Sequence, residues 1–201
     1  MKISSKEQYE LAAKILLEEI FGYDLIKREH PDFYERTRSM GIEVTQAMSK
    51  QEGQMIGFTE EIKNKKLGDI SIDKIKKFER LGGKISEWNG IKTFSFGSNE
   101  VSIERLITAI NRKQEKLSSD NFTIYQSNQL FLFSDRAPIK RIHIEDIITR
   151  LNPNLLQRSF DLIYILSISK LWTFSPNMPE SIICTKIPRE TLMKLYAILD
   201  Q

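Results

Sequence analysis

Residues 130–133 read "LFLF", which gives a β-strand no polar face. A strand with one face in solvent alternates apolar and polar residues, whereas a strand covered on both faces is apolar throughout. The run therefore predicts a central strand, and a central strand needs cover above and below. Two amphipathic segments can supply it. Over residues 5–21, Leu11, Ala12, Ile15, Leu16 and Ile20 recur at helical spacing behind Ser5, a residue suited to capping. Over 101–117, Ile103, Leu106, Ile107 and Ile110 form an apolar stripe, with Arg105, Arg112, Lys113 and Lys116 mostly off it. "HIEDIITRLN" predicts a short helix ending before Pro153, and "PRETLMKLYAILD" a last one with Pro188 ahead of its first turn.

Strands are expected between these helices. "GIEVT" alternates Ile42 and Val44 against Glu43 and Thr45. Pro31 biases His30 toward extended geometry, so a strand is expected from Asp32. "TIYQSNQLFLFSD" predicts one strand ending near Tyr125 and then the central one, while "FDLIYIL" and "KLWTF" predict two more. Helices at both ends, strands between and connections long enough for crossovers give an α/β class, a central mixed sheet flanked by helices. At 201 residues the chain fits one sizeable core, hence a single domain over 1–201. "SKQEGQMIGFTEEIKNK" predicts a helix capped by Ser49 despite two glycines. After it, Gly82-Gly83, Gly90 and Gly97 punctuate short apolar pieces, and residues from about 67 to 99 read as an insertion with one helix and a hairpin.

Composition narrows the chemistry. A formal charge of +3 permits a nucleic-acid partner without requiring one. A single cysteine, Cys184, excludes a disulfide framework and a multi-cysteine zinc site, and in "SIIC" it reads as a small core residue. With only His30 and His143 besides, a metal would have to be held by carboxylates. No stretch approaches the roughly 18 apolar residues of a membrane span, and "MKISSKEQYELAAK" lacks the apolar run of a signal peptide, so a reduced cytoplasmic setting is expected.

The segment "HPDFYERTRSMGIEVTQA" carries the chemistry. If Asp32 opens one strand, Met40 the next and Arg36–Ser39 the turn, antiparallel pairing matches Glu35 with Met40, Phe33 with Ile42 and Asp32 with Glu43. Opposed side chains have Cβ atoms about 4.5–5.5 Å apart, and like charges so placed repel unless something positive lies between them. A hard divalent cation such as Mg²⁺ is the economical answer.

Pro31-Asp32, a short gap and the apolar-acid-apolar strand Ile42–Val44, behind one predicted helix and ahead of another, resemble the PD-(D/E)XK nuclease superfamily, which includes type II restriction enzymes and archaeal Holliday-junction resolvases. The resemblance covers roughly the whole chain outside the insertion and rests on the order of elements. It implies a restriction endonuclease-like fold and metal-dependent hydrolysis of DNA phosphodiester bonds. In that superfamily the Asp and Glu hold Mg²⁺ (or Mn²⁺), the backbone carbonyl of the next residue is often a further ligand, and a lysine two positions after the Glu assists the attacking water. The positions carried over are Asp32, Glu43 and the Val44 carbonyl. Many members add a glutamate from the first helix, for which Glu10 is the best match, with Glu19 behind it. The chain departs at the lysine position, which holds Thr45. Either hydrolysis relies on the metal alone or a lysine arrives from elsewhere; "INRKQEKL" offers Lys113, preferred, and Lys116, while Gln46 could hold the water or a phosphate.

Basic residues bear on the partner, expected to be DNA. Between Lys63 and Lys84 eight cations face three acids, including Lys74, Lys76 and Lys77, and Trp88 in the following hairpin could stack on a base. Arg36 and Arg38 in the turn could contact a phosphate backbone. Cutting both strands with one site per chain would favour a two-fold dimer. Two rival readings stand: a catalytically degenerate domain that binds nucleic acid or a protein, marked by Thr45, and a plain interaction module of unrelated α/β fold with no acidic cluster.

Overall fold

In a computed structural model, the chain is described at residues 5–47, 54, 57–59, 61–62, 65, 67–80, 83–88, 91–95, 103–119, 122–134, 138–151 and 158–199. It divides into two compact units, one formed by residues 1–47 with 101–201 and the other by 48–100. The first runs α1 (Ser5–Phe21), β1 (Leu25–Lys27), β2 (Phe33–Glu35) and β3 (Met40–Gln46) before the second unit intervenes. The second, within which the expected insertion lies, holds α2 (Ile72–Arg80) and an antiparallel hairpin of β4 (Lys84–Trp88) and β5 (Ile91–Ser95). Gln54, Gly57–Thr59, Glu61 and Ile62 are helical, while Ser49 lies outside the described residues. Phe78 of α2 is buried and stacks on Phe58, centroids 4.7 Å apart.

The first unit resumes with α3 (Ile103–Leu117), β6 (Ser127–Phe133), α4 (Arg141–Arg150), β7 (Leu162–Ser167), β8 (Lys170–Ser175), β9 (Met178–Lys186) and α5 (Arg189–Leu199). Its seven strands form one mixed sheet in the order β1-β2-β3-β6-β7-β8-β9, parallel across β3-β6-β7 and antiparallel outside. The "LFLF" strand, β6, is the middle one. Its alternate residues enter two cores: Leu130 and Leu132 join Leu106 and Ile110 of α3 and Ile144 and Ile147 of α4. Phe131 and Phe133 join Ala13, Leu16 and Leu17 of α1 and Leu195 of α5. Each such side chain contributes about 1.5–3 kcal/mol on burial, which favours apolar residues throughout Leu130–Phe133.

The start of the chain folds for local reasons. α1 stops at Gly22, whose φ of +64° and N–H to the Glu18 carbonyl (3.0 Å) form a left-handed C-cap. Three expectations are corrected. The strand begins at Phe33 rather than Asp32. No strand forms at Tyr125, because the Asn128 side chain takes both its backbone groups: the Tyr125 N–H donates to Oδ1 (3.2 Å), and Nδ2 donates to the Tyr125 carbonyl (3.1 Å). Cys184 is exposed, since β9 is an edge strand with a neighbour on one side only. Among the described residues, no helix is long and apolar enough to cross a membrane.

Candidate functional site

The β2–β3 hairpin pairs Phe33 with Ile42, Tyr34 with Gly41 and Glu35 with Met40. One step further along, Asp32 stands level with Glu43. Asp32 has left the strand by then, and its Oδ2 accepts a 2.8 Å hydrogen bond from the Val44 N–H. An extended residue presents its N–H and C=O along the same edge, so the Val44 carbonyl is directed toward the edge that Asp32 occupies.

Strand alternation separates the other acids. Ile42 and Val44 pack in the α1 core, so Glu43 and Thr45 turn to the opposite face, under α3. There two consecutive residues of α3 meet them: Lys113 Nζ reaches Glu43 Oε1, and the Arg112 guanidinium donates to Thr45 Oγ1 at 3.3 Å. Glu10 approaches from α1, on the Ile42/Val44 side. Its Oε2 accepts from Lys27 of β1, and Lys6, one helical turn before Glu10, lies 3.2 Å from its Oε1 and 3.5 Å from Asp32 Oδ1. Asp32, at the end of β2, therefore sits between acids from both faces.

All three acids are buried, at 4% (Glu10), 2% (Asp32) and 4% (Glu43) exposure. Burial first, and the Glu43 charge second, push the Asp32 carboxyl up to about 6, against the opposing pull of the Val44 N–H. Burial also raises Glu10, but hydrogen bonds with Lys27, Asp32 and Lys6 outweigh it and leave Glu10 below the usual range. Of the two neighbouring acids Asp32 is thus the raised one and Glu10 the lowered one. Glu43 Oε2 is buried and accepts no hydrogen bond, while Glu10 Oε1 has the Lys6 ammonium 3.2 Å away. A buried carboxylate oxygen left without a donor costs more than an ordinary lost hydrogen bond, and a cation beside Asp32 and Glu43 would satisfy Oε2 while removing the repulsion that raises Asp32. By donor chemistry the residues fit Mg²⁺. As they stand, no group of three His, Cys, Asp or Glu gathers as an ion-holding cluster among the described residues.

The structure thus brings together Asp32, Glu43, Val44, Glu10, Thr45 and Lys113. Lys6 and Lys27 were not anticipated. Lys6 could have been found from its i,i+4 spacing to Glu10, whereas Lys27 lies on a three-residue strand with no periodicity to reveal it. Glu19 lies elsewhere, bonded to Thr191 and to Lys194. Gln46 turns to the α1 face, its amide nitrogen buried without a partner. Arg36 and Arg38 occupy the turn at the other end of the hairpin, beyond the Glu35–Met40 pair that is itself three residue steps or about 10 Å from the acids. Arg36 is exposed, and Arg38 lies over the Tyr23 ring at 4.7 Å.

In the second unit, Lys74 pairs with Glu61, and Lys76 and Lys77 are exposed on α2. The Trp88 backbone pairs with Ile91, its side chain lying outside the described residues together with Lys63 and Lys66. Compared with protein-family models, curated proteins and solved structures, the chain matches none.

Proposed function

We propose that this chain is a PD-(D/E)XK-type nuclease of restriction endonuclease-like fold, hydrolysing DNA phosphodiester bonds with Mg²⁺ or Mn²⁺. The observation that carries the reading is Lys113. The motif places Thr45 where a lysine is expected, and an ammonium from α3 arrives at Glu43 instead, one two-residue strand repeat away on the same face. The order of elements agrees with it: helix, hairpin, crossover helix α3, then β6 parallel to β3.

In this reading Asp32, Glu43 and the Val44 carbonyl would hold the ion, with Glu10 behind Asp32. The bound metal would supply Lewis-acid polarisation of the phosphate and a lowered pKa for water. Lys113, drawn from Glu43 toward the attacking water, orients it and balances the negative charge that gathers on the phosphate oxygens. Water oxygen bonds to phosphorus and releases a proton to solvent, the ester P–O bond breaks, and the departing alkoxide takes up a proton from solvent. Thr45 Oγ1, already bonded to Arg112, holds a guanidinium beside the same face.

The test is nicking of supercoiled plasmid, and cleavage of branched and single-stranded oligonucleotides, with Mg²⁺ and with Mn²⁺. Metal-dependent cutting that vanishes in Asp32→Ala and Glu43→Ala and falls sharply in Lys113→Met supports the reading. Cutting that survives in either acid variant refutes it. A second reading, a degenerate domain that binds DNA without cutting it, draws on the same Thr45 and on lysines already paired with Glu10 and Glu43. Gel retardation at low salt with no cleavage under either metal would favour that account.

A further inference from the structure

The carboxylate oxygens of Asp32 and Glu43 are not equally free. Asp32 Oδ2 accepts from the Val44 N–H at 2.8 Å, which leaves Oδ1 as the oxygen without a backbone donor. Lys6 holds that oxygen, its ammonium lying 3.5 Å from Asp32 Oδ1 and 3.2 Å from Glu10 Oε1. On Glu43, Lys113 holds Oε1, and Oε2 is buried without a hydrogen-bond partner. A cation entering between Asp32 and Glu43 therefore finds the Glu43 oxygen free and the Asp32 oxygen taken.

The two lysines differ in their freedom to yield. The Lys113 side chain is 11% exposed and the Lys6 side chain 73%. Lys6 stands in the first turn of α1 on a flexible stem, so its ammonium can swing into water, where it is strongly hydrated, without unpacking a core. Lys113 would have to leave a buried pair, and it has no need to, because Oε2 is enough to bind an ion. In their present places the buried acids lean on single positive charges, and Lys6 is the one that bridges two of them. A divalent ion brings twice the charge, at Mg–O distances of about 2.0–2.1 Å.

We propose that Lys6 is an exchangeable counter-ion: it holds Asp32 Oδ1 and Glu10 Oε1 until a divalent cation displaces it into solvent, and so sets the affinity for Mg²⁺. This rests on the reading of Asp32 and Glu43 as metal-holding acids. One positive charge leaves as two arrive, so the acids stay compensated throughout. Lys6 acts only through the carboxylates it releases, which makes it a positioning residue. Lys27 is the natural control, being a half-exposed lysine that pairs with the other Glu10 oxygen, Oε2, and lies over the Phe33 ring.

The experiment is isothermal titration calorimetry with magnesium chloride, without DNA, on wild type, Lys6→Met and Lys27→Met. Urea unfolding of each protein, with and without saturating Mg²⁺, accompanies it. Methionine keeps an apolar stem and removes the charge. Lys6→Met is expected to bind Mg²⁺ roughly fivefold more tightly with unchanged stoichiometry, the scale of an exposed ion pair, and Lys27→Met to stay within about twofold of wild type. By linkage, the gain must appear as a lower urea midpoint for Lys6→Met without Mg²⁺ and an equal one with it.

An affinity in Lys6→Met no tighter than wild type, an equal gain in Lys27→Met, or no Mg²⁺ binding by either protein would overturn the exchange. So would a stability gain confined to the Mg²⁺-saturated Lys6→Met, which is the pattern of a lysine that repels the ion without occupying its oxygen. Metal-dependent nicking lost in Asp32→Ala would uphold the nuclease reading in those cases. Conversely, tighter Mg²⁺ binding by Lys6→Met in a protein that cuts nothing would uphold the exchange and remove the hydrolase.

Discussion

Lys113→Met isolates the contact on which the proposed chemistry turns. The side chains of Lys113 and Glu43 are 11% and 6% exposed, so this is a buried ion pair rather than a surface one. Removing one partner of a buried pair typically costs 3–5 kcal/mol, because the other charge is left without compensation. Glu43 already has one oxygen without a hydrogen-bond partner and lies close enough to Asp32 to raise it. Loss of the ammonium should therefore cost about 3 kcal/mol, the lower end being appropriate because Lys113 retains some contact with water.

For a chain of this length each kcal/mol corresponds to about 2–4 °C, so the melting temperature should fall by roughly 6–12 °C. Glu43→Gln alone should cost less, about 1 kcal/mol, since the freed lysine can reach solvent while the freed glutamate cannot. In Lys113→Met with Glu43→Gln no buried charge is stranded, and the double variant should recover at least about 1.5 kcal/mol relative to the sum of the singles. Urea unfolding followed by circular dichroism at low salt measures all three. A single-variant cost below about 0.5 kcal/mol, or additivity within that margin, would show that Lys113 does not sit on Glu43.

Other outcomes are expected from the same structure. Because Asp32 is raised from its ordinary 3.8 to about 6, the folded state binds its proton more tightly than the unfolded state. Its contribution to stability is full below about pH 4 and is lost as pH rises through 6, a change on the order of 3 kcal/mol. Glu10, which is lowered, acts with the opposite sign at more acidic pH. Asp32→Asn should flatten the wild-type decline between pH 4 and 7.5 in urea midpoints, and an unchanged slope would contradict the assignment. Mg²⁺ at a hundredfold excess over its Kd should stabilise the wild type by about 2.7 kcal/mol at pH 7.5, with no shift in Asp32→Asn by differential scanning fluorimetry. Finally, Ile168 occupies the left-handed region (φ 49°) in the two-residue loop between Ser167 and Lys170 and is 45% exposed. Ile168→Gly should remove about 1–2 kcal/mol of strain, offset in part by chain entropy, and raise the melting temperature by about 2 °C; a fall would refute it.

What could be read from the sequence follows from how local each signal is. The β2–β3 register followed from taking Arg36–Ser39 as the turn, and the structure pairs Glu35 with Met40 and Phe33 with Ile42 as that turn requires. α1 and α3 were legible because their apolar stripes repeat at helical spacing over about two to three turns. β1 was not, being three residues long, and Lys27 was lost with it. β9 was missed because an edge strand with a Pro179 and exposure on both faces has no alternation to detect. Tyr125 looked like strand sequence, and only the Asn128 side chain, by claiming its backbone, kept it out of the sheet. Lys113 could be named from residue type, but that it reaches Glu43 rather than solvent depends on how α3 lies over the sheet.

The second unit is spliced between β3 and α3, so Glu43 and Lys113 are 70 residues apart in the chain. Loop-closure entropy grows only with the logarithm of loop length, about 0.6 kcal/mol for each doubling. Shortening that intervening segment to about 20 residues would change the cost of bringing the two together by only about 1 kcal/mol. The splice point is therefore a place where a lineage can exchange one accessory unit for another, or dispense with it, at almost no thermodynamic cost to the acids and lysine on either side.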